Sequence, residues 1–92
     1  MGGDDLRTSI MIRNIPNKYD QISLLREINI NHMGKYDFLY LPIDFQNKAN
    51  VGYAFINFVH PLFIIDFCNE YIHRKWSKFN SNKKCDVKYA RI

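Results

Sequence analysis

Four separate stretches of the chain have the side-chain period of two that is typical of a β-strand. The first and last alternate apolar with polar residues, whereas the second and third carry large apolar side chains on both faces. The pattern predicts strands over residues 9–14, 35–44, 51–58 and 85–90. After the first and third stretches, apolar residues recur at three-to-four spacing, which is typical of an amphipathic helix. The spacing predicts helices over about residues 21–30 and from residue 61 onwards. The predicted order is therefore strand, helix, strand, strand, helix, strand.

Local signals support the ends of both helices. Asp20 is a good N-cap, because its carboxylate can accept hydrogen bonds from the free amides of the first turn. Pro61 suits the start of the second helix, where a missing amide costs nothing, and Gly34 can turn the chain after the first. The apolar stripes expected to face the core are Ile22, Leu25 and Ile28 with Leu24 flanking, and Phe63, Ile64, Phe67, Cys68 and Tyr71.

This order predicts an α+β, ferredoxin-like βαββαβ fold, in which two helices cover one face of a four-stranded antiparallel sheet. The strand side chains expected to pack on the helices are Ile10, Ile12, Leu39, Leu41, Ala54, Ile56, Phe58, Val87 and Tyr89. The open face should then carry Met11, Arg13, Phe38, Tyr40, Tyr53, Phe55, Asn57, Asp86, Lys88 and Ala90. Large apolar groups on a solvent face usually mark a binding surface.

The chain has the length of one domain, which we assign to residues 9–92. Residues 1–8 are interpreted as a flexible N-terminal segment or an expression scar. A hydrophobic share of 47% excludes a disordered chain. No apolar run approaches the roughly 20 residues of a membrane helix, and no signal peptide is visible. We expect a monomer inside the cell, in the nucleus, the cytoplasm or both.

Positive charge is concentrated at the end of the chain. Residues 1–72 hold six Lys or Arg and eight Asp or Glu, whereas residues 73–92 hold seven basic residues and one acid. A basic cluster permits a polyanionic partner, although such a cluster is often only a solvated surface. Trp76 lies inside it, and both nucleic-acid contact and packing against the second helix remain open for this side chain.

Residue types with catalytic or metal-binding chemistry are sparse. Cys68 and Cys85 lie in apolar sequence and are expected to be buried, reduced thiols. The histidines at positions 32, 60 and 73 are isolated and are interpreted as surface or capping groups. We expect no metal, no cofactor and no enzymatic activity; a small phosphatase acting through Arg13 or Asn14 is the weakest alternative, because no phosphate-cradling loop supports it.

Two short strings carry the strongest functional signal. The octamer from Val51 to Phe58 fits the consensus of the RNA-recognition motif at seven of eight positions, with Val51 in place of a basic residue. The hexamer from Ile10 to Ile15 fits the first-strand string of the same family, with Met11 in place of the usual aromatic. Both strings occur in the right order with helices between them, so the chain resembles an RNA-recognition motif.

Longer strings narrow this resemblance. They are Met11 to Tyr19, Tyr36 to Phe45, Asn50 to Phe58, Lys75-Trp76 and Tyr89 to Ile92. Together they resemble the C-terminal RNA-recognition motif of the Mei-two-like meiosis-regulator proteins, from about residue 9 to residue 92. The resemblance implies a module of a larger regulatory protein in meiotic, developmental or post-transcriptional gene expression.

The resemblance implies single-stranded RNA as the partner. Tyr53 and Phe55 would stack on bases, and the set of residues expected to contact RNA is Met11, Arg13, Asn14, Lys18, Phe38, Tyr40, Tyr53, Phe55, Asn57, Lys88 and Arg91. Val51 and Met11 imply weaker phosphate pairing and one stack fewer than the general pattern. The alternative is a protein–protein interaction module on the same fold, with a partner on the helical face or the second helix.

Overall fold

The central feature of the computed structural model, which describes residues 8–90, is a four-stranded antiparallel sheet. The elements are β1 (Ser9–Arg13), α1 (Gln21–His32), β2 (Tyr36–Tyr40), β3 (Ile43–Asp44), β4 (Ala49–Asn50), β5 (Tyr53–Phe58), α2 (Pro61–Tyr71) and β6 (Asp86–Tyr89). The sheet order is β2-β5-β1-β6, so β1 and β5 form the central pair. The ferredoxin-like class is confirmed. The expectations for residues 1–7 and for Arg91 lie outside the described residues.

The second predicted strand is interrupted. Instead of one strand over residues 35–44, β2 ends at Tyr40 and a separate hairpin pairs β3 with β4, with Ile43 opposite Asn50. Pro42 lies at the break, and a proline cannot donate a hydrogen bond to a strand ladder. The loop between β3 and β4 is residues 45–48, and β5 begins at Tyr53, two residues later than predicted. Gly52, with φ of +97°, precedes β5 in a backbone conformation that suits glycine.

Both predicted helix starts are confirmed. Asp20 accepts a hydrogen bond from the Ser23 amide at 2.8 Å, and the Ser23 side chain accepts one from the Asp20 amide, so the two form a capping box. Pro61 is the first residue of α2, and His60 is its N-cap. The capping role expected for His60 is thus confirmed.

The core joins one face of the sheet to both helices. Its members include Ile10, Ile12, Leu24, Ile28, Leu41, Ala54, Ile56, Phe58, Ile64, Phe67 and Tyr71. The expectation of burial in the core is wrong for two residues, Ile22 and Tyr89. Ile22 is 58% exposed, because the buried side of α1 is instead formed by Leu24, Glu27, Ile28 and His32. Tyr89 is 63% exposed, because β6 is an edge strand and α2 covers only the part of it near Val87.

A buried polar network attaches the basic segment 73–84 to the helices. Glu27, 3% exposed, accepts hydrogen bonds from the hydroxyls of Tyr19 and Ser77, the second at 2.8 Å. The Tyr19 hydroxyl accepts the Lys78 amide at 3.2 Å. Arg74 extends the network: its guanidinium lies 3.8 Å from Glu27 and 2.6 Å from Glu70. Burial, followed by the hydrogen bond to Glu27, raises the pKa of Tyr19 to about 12.

The positions of His32 and Trp76 near this network differ in how far the sequence predicted them. His32, expected at the surface, is buried and its Nε2 lies 2.7 Å from Glu70 Oε1. Trp76 packs as a core residue, with its ring 5.3 Å from the Tyr19 ring and 6.0 Å from that of Tyr71. The packing role of Trp76 is therefore the one that the structure shows. The base of the segment is closed by backbone hydrogen bonds between residues 73–74 and Cys85.

Candidate nucleic-acid interface

The open face of the sheet is organised in cross-strand rows. Because directly opposite residues of antiparallel strands share a face, the register defines a central row formed by Tyr40, Phe55, Met11 and Lys88. An end row is formed by Tyr53, Arg13 and Asp86. A third row, on the other side of the central one, contains Phe38, Asn57 and Ser9. With strands about 4.8 Å apart, the central row spans about 14 Å.

Aromatic rings are exposed at the centre of this face. Tyr53 and Phe55 are two residues apart on β5, so they point the same way. Their ring centroids are 5.7 Å apart and the ring planes are inclined by 79°. Tyr53 is 38% exposed, and Phe38 and Tyr40 on the neighbouring strand are exposed as well. The four rings form an aromatic surface beside the thioether of Met11, as the alternation of the sequence predicts.

Arg13 is not free on this surface. Its Nε lies 3.6 Å from Asp86 Oδ2, and both side chains are partly exposed. The strand alternation had placed Asp86 on the open face, but the pairing depends on the β1–β6 register, which the sequence does not encode locally. A phosphate approaching Arg13 therefore also approaches a carboxylate.

Asn57 is likewise engaged in the protein. Its Oδ1 accepts hydrogen bonds from the hydroxyls of Thr8 and Ser9, each at 2.7 Å, and its Nδ2 donates to Asp37 Oδ1 at 2.8 Å. These three bonds fix the amide in one orientation. Asn57 can therefore shape the edge of the aromatic surface, and the second hydrogen of its Nδ2 is the one group left for a further hydrogen bond without loss of a partner.

The remaining predicted contact residues are distributed around the sheet. Asn14 has φ of +60° and donates to the Lys84 carbonyl at 3.2 Å, so it turns the chain after β1 and connects it to the segment before β6. Lys88 is exposed at the edge of the central row. Lys18 lies off the sheet, in the loop between β1 and α1. The structure thus brings Met11, Arg13, Phe38, Tyr40, Tyr53, Phe55, Asn57 and Lys88 together on one face, whereas Asn14 and Lys18 lie beyond its end.

Asn50 is a positioning residue that the sequence reasoning missed. Its buried Nδ2 donates to the carbonyls of Pro16 and Tyr19, at 2.8 and 2.9 Å, and its Oδ1 accepts the Gly52 amide at 2.7 Å. One side chain thereby joins the loop after β1 to the residue immediately before Tyr53. The polar residues before Asn50 in the sequence favoured a loop at this position. The one sequence signal for its positioning role is an asparagine close before an apolar strand.

The thiols and histidines provide no reactive group near this face. Within residues 8–90, both cysteines are free, and no cluster of three or more His, Cys, Asp or Glu could hold a metal ion. Burial raises the pKa of the Cys85 thiol to about 12, which leaves little of the nucleophilic thiolate at neutral pH. No helix of the described part has the length and apolar character to cross a membrane.

The βαββαβ fold and the exposed aromatic face are those of the class of RNA-recognition-motif domains. Solved structures agree: the RNA15 RRM matches with a TM-score of 0.74, 17% identity, and coverage of 91% of this chain and 90% of that one. An Sxl-lethal protein in a complex with RNA matches with a TM-score of 0.73, 19% identity, and coverage of 94% and 48%. At these identities the likeness shows the fold alone.

The chain belongs to the RNA recognition motif 2 family, whose model matches residues 7–92. "Protein MEI2-like 4" of Oryza sativa subsp. japonica is 59% identical over 90 residues, which are 98% of this chain and 9% of the relative. "Protein MEI2-like 3" of Arabidopsis thaliana is 56% identical over 92 residues, which are 100% of this chain and 12% of the relative. The resemblance to Mei-two-like proteins is confirmed, and the chain spans about a tenth of those relatives.

Proposed function

We propose that the chain is a non-catalytic domain that binds single-stranded RNA on the open face of the sheet. The observation that carries the proposal is the pair of rings at the centre of that face, the exposed Tyr53 and the half-buried Phe55. A sheet that buries one face against helices has no need of aromatic groups on the other. Bases splayed from a single strand provide a stacking partner of the right size and chemistry.

The rows assign a role to each neighbour of these rings. Phe55 would stack one base and Tyr53 the next, and Tyr40 and Met11 would border the first from either side. Met11 is a soft contact that packs on a base or sugar without stacking well. Lys88 lies at the end of the central row, where its ammonium can reach a phosphate. Such contacts release counterions, so affinity should fall with added salt.

The wider role is inferred from the relatives. Because the chain spans about a tenth of the MEI2-like proteins that it resembles, we infer that it acts as one domain of a larger regulatory protein. From the resemblance to the Mei-two-like meiosis-regulator proteins we further propose a role in meiotic or developmental gene expression, inside the cell, in the nucleus or the cytoplasm. Two structural neighbours are complexes with RNA, an Sxl-lethal protein with RNA and the Rna15 RRM with bound RNA (GU), and they support RNA as the partner proposed for this chain.

A chemical-shift titration with short single-stranded RNA pools tests the proposed function. We expect the largest shifts at Tyr53, Phe55 and Met11, and small shifts on the outer surface of α2. Double-stranded RNA of the same composition should bind more weakly, because its bases cannot reach the rings. Shifts confined to α2, or no shifts at low salt, would contradict the proposal and favour a protein-interaction domain.

The Asp86→Asn substitution should increase affinity for single-stranded RNA, by roughly two- to fivefold at low salt, because it removes a carboxylate from the face and releases Arg13. The gain should shrink as salt is raised. Stability should change by less than about 1 kcal/mol, since the ion pair is partly exposed. Anisotropy titrations at two salt concentrations measure the effect. A loss of affinity would show instead that Asp86 accepts a hydrogen bond from a base.

A further inference from the structure

A second concave site lies just beyond the end of the sheet. It is an open cleft of about 700 Å³, which we call the loop cleft, lined by Asn17, Lys18, Tyr19, Asp20, Ile43, Asn47, Lys48, Ala49, Asn50 and Phe79. Its walls come from three segments: the β1–α1 loop, the β3–β4 hairpin and the tip of the basic segment. The volume lies in the range of small-molecule and cofactor sites.

The charge of the loop cleft suits a phosphate. Lys18 and Lys48 approach from two different walls, and among residues 8–90 no carboxylate lies within 4.0 Å of either ammonium. The one carboxylate in the lining, that of Asp20, accepts the Ser23 amide and so serves the helix cap.

Phe79 supplies an aromatic surface in the same cleft. Its ring is 46% exposed and rests edge-on against Tyr19, with centroids 5.0 Å apart and planes inclined by 81°. Its backbone has φ of +65°, a conformation that non-glycine residues seldom adopt and that costs about 1–2 kcal/mol. The Glu27 network fixes Tyr19, so the Phe79 ring rests on a rigid support.

The loop cleft adjoins the aromatic face along the chain. Asn50 lines the cleft and accepts the amide of Gly52, which directly precedes Tyr53. On the adjacent strand, β1 ends at Arg13, and the chain continues to Lys18 in the cleft wall. Both central strands of the sheet are thus joined by short segments to the lining of the cleft.

We propose that the loop cleft binds an additional nucleotide of the same RNA strand, with its phosphate between Lys18 and Lys48 and its base against Phe79. The inference rests on the proposed function, because the strand must first lie on the sheet. It extends the binding site from the two or three nucleotides that such a sheet holds to a longer segment. In this arrangement the basic segment 73–84 contributes to RNA binding through the Phe79 ring as well as through its positive charge.

The test compares random-sequence RNA of three and of six nucleotides. For the six-nucleotide pool, Phe79→Ala should reduce affinity about fivefold or more, the effect of losing one stacked base. Lys18→Ala combined with Lys48→Ala should reduce it about tenfold at 0.1 M salt and lower the salt slope by about 0.7, the value for one phosphate of a single strand. Binding of the three-nucleotide pool should change by less than about twofold in either variant. Thermal unfolding of each variant checks that the fold is intact.

A matched control separates the cleft from general charge loss. Arg26→Ala combined with Lys35→Ala also removes two positive charges, at positions on α1 and directly before β2. If the cleft variants weaken six-nucleotide binding no more than this control does, the cleft inference is overturned while sheet binding stands. If the unmodified domain binds neither pool, the proposed function itself fails.

Discussion

Replacing both Tyr53 and Phe55 by alanine is expected to reduce the affinity for single-stranded RNA by at least about 30-fold. Stacking on an aromatic side chain contributes about 1–3 kcal/mol per base, and the variant removes two adjacent stacking surfaces. The backbone of β5 should be preserved, because both side chains lie on the open face and the buried face of the strand keeps Ala54, Ile56 and Phe58. Fluorescence anisotropy with a labelled six-nucleotide pool measures the loss.

The control for this variant is Tyr89→Ala, which removes a more exposed ring from the opposite face of the sheet. It should leave affinity within about twofold. Because the Tyr53 and Phe55 rings are in contact, the two single variants are not expected to add up to the double one. An unchanged affinity in a double variant with native circular dichroism would refute binding on the sheet.

Removing the buried carboxylate of Glu27 should destabilise the domain by about 3–5 kcal/mol. In Glu27→Ala, the hydroxyls of Tyr19 and Ser77 lose their acceptor, and Arg74 retains only Glu70. Glu27→Gln keeps one oxygen for the two hydroxyls and should lose less. Denaturant unfolding measures the difference, and Asp66→Ala, which removes an exposed carboxylate from α2, should change stability by less than about 0.5 kcal/mol.

A local readout distinguishes this network from ordinary core packing. The Lys78 amide donates to the Tyr19 hydroxyl, which in turn donates to Glu27. Hydrogen exchange at Lys78 should therefore accelerate in Glu27→Gln even where the global stability is nearly retained. Protection equal to that of the native domain would show that the basic segment is held by Trp76 packing alone.

The fold could be predicted because its strands and helices are specified by short-range sequence signals. Alternation identified the sheet faces, and Asp20 and Pro61 marked the helix starts. Burial was predicted less well where tertiary contacts override periodicity. Ile22 is exposed although it is apolar, while Glu27 and His32 are buried because each finds a polar partner far away in the chain. No apolar spacing rule can identify such residues.

The candidate site was also predicted only in part. Which residues share the open face follows from a period of two, so Met11, Tyr53 and Phe55 could be grouped from the sequence. Which of them are paired depends on strand register, so the contacts of Arg13 with Asp86 and of Asn57 with Asp37 could not be predicted. The loop cleft depends on the hairpin formed after Pro42, which the alternating pattern concealed.

If RNA binds on the sheet as proposed, the steep angle between the Tyr53 and Phe55 rings would limit the strands that the face accepts. Two bases lying flat on rings inclined by 79° cannot remain stacked on each other. A bound strand would therefore give up its own base stacking at that step, and purine-rich strands, which stack strongly, would have more to lose than uridine-rich ones. The domain would then select among sequences by the flexibility of the strand, before any base edge is read.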